Sequence, residues 1–199
     1  MGDANPRGLA LKFSLPDGST TDVVSHKFNG FPVGTSAEFR DLLLAIGASG
    51  GGAPKPTALD GLLSGRPIAK TFLTTQKPAP QSYATLSYFG VNAFAFTNAQ
   101  EPRTFVGYRF VPVDGEAFTP AAALASKGAD YLQSELPTRL ANGPVVYTWY
   151  AQISSDPDVI GNPSVASPER RRLVKLGAIW LDRMAPDPAA AGKATLSRR

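Results

Sequence analysis

Apolar and polar residues alternate at the start of the chain. Leu9, Leu11 and Phe13 fall on one face and Ala10 and Lys12 on the other, which predicts a strand. Pro16-Asp17-Gly18 then reads as a turn, because Pro presets φ and Gly accepts φ > 0. Residues 22–27 are predicted to return as the second strand of an antiparallel hairpin. The period then lengthens. Thr35-Ser36-Ala37-Glu38 has the form of a capping box, in which Thr35 and Glu38 satisfy each other's orphan N–H groups. Phe39, Leu42, Leu43 and Ile46 follow at helical spacing, with Gly47 as the stop. Residues 48–56 form a Gly/Pro/Ser-rich loop. Residues 57–75 read as short helical pieces whose contacts come from Leu59, Leu62, Leu63, Ile68 and Phe72. From Gln81 the period returns to two, with strands predicted over 82–89, 91–97 and 104–111. Residues 120–125 and 130–141 are predicted helical. The second helix puts Leu132, Leu136 and Leu140 on one face and is broken or restarted at Pro137. Residues 145–153 and 173–182 complete the pattern as strands.

This order argues an α+β fold with one antiparallel sheet, and curling that sheet into a barrel would remove its edges. Residues 1–187 are read as one domain and 188–199 as a disordered tail. Composition narrows the chemistry. With 43% hydrophobic and 18% charged residues in 199, the chain suits a globular domain. No apolar run approaches the eighteen or so residues of a membrane-spanning helix. The start of the chain shows no basic-then-apolar pattern, which leaves cytoplasm and periplasm both open. Cysteine is absent, which excludes disulfides, iron–sulfur clusters, thiolate zinc and cysteine nucleophiles. A single histidine, His26, excludes paired-histidine sites. The net charge of +4 sits partly in 169–172 and 197–199, read as a solvated loop and tail rather than a nucleic-acid surface. Gly50-Gly51-Gly52 lacks the lysine and the strand–loop–helix setting of a phosphate loop.

The stretch NPRGLALKFSLPDGSTTDVVSHKFNGF, residues 5–31, resembles the centre of a catalase. Three further segments carry the resemblance in order: Tyr88-Phe89-Gly90-Val91-Asn92-Ala93-Phe94-Ala95-Phe96, the span from Asp130-Tyr131-Leu132 to Trp149-Tyr150-Ala151-Gln152, and Leu176-Gly177-Ala178-Ile179-Trp180-Leu181-Asp182-Arg183. The wording Phe28-Asn29-Gly30-Phe31-Pro32 is most similar to the small catalase-related peroxidases. The resemblance implies a catalase-type β-barrel with flanking helices, a haem cofactor, and hydrogen peroxide or an organic peroxide as substrate. In that family a distal His and Asn handle the peroxide, a Phe stacks near the haem, and a Tyr phenolate ligates iron. O–O cleavage calls for acid–base help on one side and an electron-rich ligand on the other.

Carried over residue by residue, the resemblance places Lys27 or Asn29 at the distal Asn position, as candidate catalytic residues. Phe31 and Phe39 match the aromatic, cofactor-binding positions. Strand alternation would put Lys27, Asn29 and Phe31 on one side and His26 on the other. The family's distal His lies upstream of the Arg-Gly strand and its Tyr beyond the last strand. The barrel is therefore expected to be incomplete at both ends and inactive as an isolated chain. The six tyrosines and the stripe Val145, Tyr147, Trp149, Ala151 and Ile153 are read as packing. Two other functions stand beside the peroxidase: a non-catalytic barrel that binds a partner or an apolar ligand, and a haem protein acting on lipid hydroperoxides. An open sheet edge makes a homo-oligomer possible.

Overall fold

The computed structural model describes residues 7–74, 78–100, 103–188 and 190–191. One antiparallel sheet of seven strands organises them. β1 (Gly8–Ser14) and β2 (Thr20–His26) form the predicted hairpin, from Gly8 opposite His26 to Ser14 opposite Thr20. The turn between them uses Gly18 at φ +81°, and the Asp17 carboxylate accepts the Ser19 N–H at 2.9 Å. β3 (Tyr88–Phe89) and β4 (Phe94–Phe96) are short and both pair with β5 (Thr104–Pro112). β6 (Val145–Ile153) and β7 (Leu173–Leu181) extend the sheet, which runs β1-β2-β3-β5-β6-β7.

The sheet is curled. Phe13 of β1 stacks on Trp149 of β6 at 5.3 Å between ring centres, although three strands separate them in the order. The concave side holds the main core: Val23, Leu86, Tyr88, Val106, Tyr108, Phe110, Val145, Tyr147 and Ala151. Leu9, Leu11, Phe13, Trp149 and Ile153 pack against it, so the alternating faces predicted for the first strand and for 145–153 line this interior. The two edges, β1 and β7, approach at one mouth, where Leu9, Tyr147 and Leu181 share a cavity with Leu136 of a helix. The architecture is an incomplete barrel.

Helices α1 (Ser36–Ala48), α2 (Ala58–Ser64) and α3 (Pro67–Thr74) surround a second, smaller core of Val33, Leu42 and Ala69, with Phe31, Phe39, Leu59, Leu62 and Leu63 packed on it. α4 (Ala121–Leu124) and α5 (Tyr131–Asn142) lie between β5 and β6.

Several local expectations are corrected. α1 runs through Gly47 to Ala48, and its buried positions are Leu42 and Ala45, while Leu43 is 52% and Ile46 41% exposed. Only half of the α1 capping box forms. Thr35 accepts the Glu38 N–H at 3.2 Å, but the Glu38 carboxylate takes the Gly34 N–H instead of that of Thr35. The full box lies at α2, between Thr57 and Asp60. Residues 82–89 are not one strand. Ser82 caps the Ala84 N–H and Thr85 accepts the Ser82 N–H, so side chains hold Tyr83–Thr85 as a 3-10 turn and leave two residues for β3. α5 continues through Pro137, held by buried Leu132 and by the Tyr131 hydroxyl donating to the Pro80 carbonyl at 2.7 Å. Of the expected tail, residues 189 and 192–199 lie outside the described residues.

Candidate functional site

β2 ends at His26, and residues 27–30 are bends in which Gly30 has φ +116°. An L side chain at Gly30 would be strained, and its Cβ would stand 3.5 Å from that of Ala166. This break overturns the expected alternation. Lys27, Asn29 and Phe31 do not share a strand, and His26 does not point away from Phe31. The two rings lie 6.0 Å apart, with Phe72 of α3 edge-on to His26 at 6.3 Å. The reason is geometric: period two holds only while the backbone stays extended.

Each candidate residue has a definite place. Lys27 is 7% exposed, and its backbone N–H donates to the Arg7 carbonyl at 2.9 Å. Asn29 donates one amide N–H to the Ser167 carbonyl at 3.2 Å. The Phe31 N–H donates to the Pro163 carbonyl at 2.8 Å, and its ring meets Phe39 at 5.1 Å. The bend after β2 is thereby tied to the loop between β6 and β7. That loop is pinned by Arg171 on Asp158 and by Gln152 donating to the Pro168 carbonyl at 2.7 Å. Arg171 holds the Asp158 carboxyl below the ordinary carboxylate range.

A cavity of about 220 Å³ lies against this loop, lined by Gly90, Asn92, Gly107, Asp158, Asn162 and Ser167 among others. The 88–96 segment and the bend carrying Asn29 therefore meet the same loop, 154–168, from two sides. Strand periodicity gave no signal for Asn162, Ser167 or the Asp158–Arg171 pair, because their loop has no repeating pattern.

The description Catalase belongs to the family whose model matches residues 3–161. The chain belongs to the catalase family. A catalase-related peroxidase of Synechococcus elongatus is 34% identical over 191 residues, covering 94% of this chain and 56% of that protein. One from Mycolicibacterium paratuberculosis is 35% identical over 178 residues, covering 88% and 56%. A solved bacterial catalase superposes with a TM-score of 0.76 at 20% identity, over 92% of this chain and 38% of its own. This catalase-family chain thus spans about half the length of the two peroxidase relatives, 56% of each.

The buried tyrosines of the described residues are committed to backbone carbonyls or to ring contacts. Tyr88 and Tyr147 both donate to the Tyr83 carbonyl, at 2.8 and 2.9 Å. Burial pushes both phenols above their ordinary range, so neither is a phenolate. Tyr131 is committed to Pro80, and Tyr108 stacks on Phe94 at 4.5 Å inside the core. Tyr83 lines the cavity at the barrel mouth, and Tyr150 stands three strands from His26 in a cross-strand row. His26 accepts the Phe28 N–H on Nδ1 at 3.3 Å. That places the proton of the neutral ring on Nε2, and burial favours the neutral form. Among the described residues no cluster of His, Cys, Asp or Glu could hold a metal. The described residues by themselves therefore do not complete a haem site.

Proposed function

We propose that this chain forms the barrel of a haem-dependent catalase-related peroxidase that breaks down hydrogen peroxide or an organic peroxide in defence against oxidative stress. The observation that carries the reading is 34% identity to a protein of that name across 94% of this chain, together with the incomplete barrel. Haem would supply the redox chemistry, and the protein's share would be binding, orientation and proton handling. On this reading Asn29 and Lys27 are the polar residues turned toward peroxide, and Phe31 and Phe39 are the aromatic wall. Asn29 supports its role by keeping a second amide N–H beyond the one given to Ser167. No base step is assigned to His26, because its Nδ1 lone pair already accepts the Phe28 N–H.

The isolated chain is proposed to be inactive, for want of an anionic iron ligand and a distal base; loss of the base alone is worth a factor of about 10²–10⁴. A chimera tests the function directly. The chain replaces the matched segment of the Synechococcus elongatus relative, which keeps its own flanks. Haem uptake with a Soret band and peroxide-dependent turnover is the expected result. A folded chimera that binds haem but leaves peroxide untouched would instead favour a non-catalytic barrel. The isolated chain mixed with haem should show little Soret absorbance; stoichiometric uptake with rapid oxygen release would overturn the inactivity.

A further inference from the structure

We propose that Gln152 and the Asp158–Arg171 ion pair are positioning residues for Asn29. Together they clamp the loop between β6 and β7, and the clamped loop sets the direction of the Asn29 carboxamide. The inference rests on the reading of Asn29 as a residue turned toward peroxide.

The segment that carries Asn29 does not fix its side chain. Asn29 lies in the bend 27–30 beyond the end of β2, beside Gly30 at φ +116°. The last torsion of an asparagine has no sharp preference, so the plane of its amide is decided by what it bonds. Asn29 gives one amide N–H to the Ser167 carbonyl at 3.2 Å, 138 positions along the chain. That bond orients the whole planar group, the second N–H and the carbonyl oxygen included. The direction of Asn29 is therefore set by the place of Ser167.

Ser167 lies in a stretch, 154–172, that has neither helix nor strand to stiffen it. Residues that do not bond Asn29 hold this stretch instead. Gln152 is on β6, paired with Gly107 of β5 on one side and Leu173 of β7 on the other, and is 3% exposed. Its side chain donates to the carbonyl of Pro168, the residue after Ser167, at 2.7 Å. The same carbonyl accepts the Arg171 N–H at 3.1 Å. Arg171 then closes the loop on itself, with Nε on one oxygen of Asp158 at 2.8 Å and Nη2 on the other. Two parallel N–H groups match the two oxygens of a planar carboxylate, a geometry that a lysine cannot reproduce. The two side chains are 18% and 10% exposed, so salt screens the pair little. Asp158 also accepts the Ser155 N–H at 3.0 Å, which ties the clamp to the end of β6. Both carbonyls that receive the bend, Pro163 for Phe31 and Ser167 for Asn29, lie between the two clamped residues.

The test reads Asn29 directly and then through turnover. In the full chain labelled with nitrogen-15, Arg171→Gln should shift the Asn29 side-chain amide resonances and speed their exchange with water. Arg171→Lys should restore only part, because it returns the charge without the fork. Gln152→Met removes the other hold and carries the test if the first variant fails to fold. Unmoved Asn29 resonances in the folded variants would overturn the clamp. In the chimera with the Synechococcus elongatus flanks, Arg171→Gln should lower kcat about 10–100-fold with KM little changed. The same substitution should cost nothing further in an Asn29→Ala background, since the two act as one unit. Equal losses in both backgrounds would overturn the positioning role and leave the ion pair a merely stabilising one. Turnover indifferent to Asn29→Ala would overturn the reading of Asn29 itself, and the amide resonances tell that failure from a failure of the clamp.

Discussion

Tyr88 and Tyr147 reach from two strands to one backbone carbonyl, that of Tyr83. Their rings lie 6.0 Å apart in the buried core. Losing one hydroxyl leaves the carbonyl accepting from the other. Tyr88→Phe and Tyr147→Phe should each cost about 0.5–1.5 kcal/mol, and the double variant more than their sum, because only then is a buried acceptor orphaned. Urea denaturation of the four proteins measures that coupling. Burial raises both phenols above the ordinary tyrosine value of 10.0 in the fold. Their contribution is therefore present below pH 10 and is lost as pH rises beyond it. His26 has the opposite dependence. Burial among Phe31 and Phe72 lowers its folded-state value below 6.5. The unfolded chain binds the proton more readily, so this contribution is present above pH 6.5 and lost as pH falls below it. Thermal melts between pH 7 and 5 should show a smaller fall in Tm for His26→Phe than for the parent chain. An equal fall would place the pH dependence elsewhere.

Among the elements, α1 and α5 carry opposite lessons. Thr35 at the start of α1 accepts the Glu38 N–H, so Thr35→Ala should cost about 1 kcal/mol. Glu38→Ala should cost more than Thr35→Ala, since that carboxylate also takes the Gly34 N–H and pairs with Arg66 at the head of α3. Chemical denaturation of both variants checks the order. α5 contains Pro137 in its interior, where a helical N–H is missing. Pro137→Ala should stabilise the chain by about 2 kcal/mol, the interior-proline cost of roughly 3 less up to about 1 for the freer unfolded chain. No gain in the denaturation midpoint would mean that the helix is bent there to suit its packing. Local pattern predicted that both helices exist. It placed their ends to within a residue but missed that α5 runs unbroken through Pro137, a breaker that the packing around Leu132 overrides.

For the whole molecule, the sheet order leaves β1 and β7 as its edges. β7 is a nine-residue edge strand with Lys175 as its one charge, and Trp180 on it is 64% exposed. Such an edge invites pairing with another chain. Sedimentation velocity should show concentration-dependent association of the isolated protein, reduced by Trp180→Lys without loss of Tm. A monomer at every concentration would show that the edge is already protected.

The sequence by itself determined the strands at 8–14, 20–26, 104–112, 145–153 and 173–181, to within a few residues, because each alternates against a buried interior. It also determined the family, through four segments in order. What only the tertiary structure decided lies where periodicity stops. His26 meets Phe31 because the backbone bends at 27–30. Asn29 is fixed by Ser167, 138 positions away in a loop without pattern. Arg109 comes into one row with His26 and Lys175 through strand pairing alone. Alternation records which face a residue takes, whereas the approach of distant segments is set by sheet curl and loop anchoring, which leave no local trace in sequence.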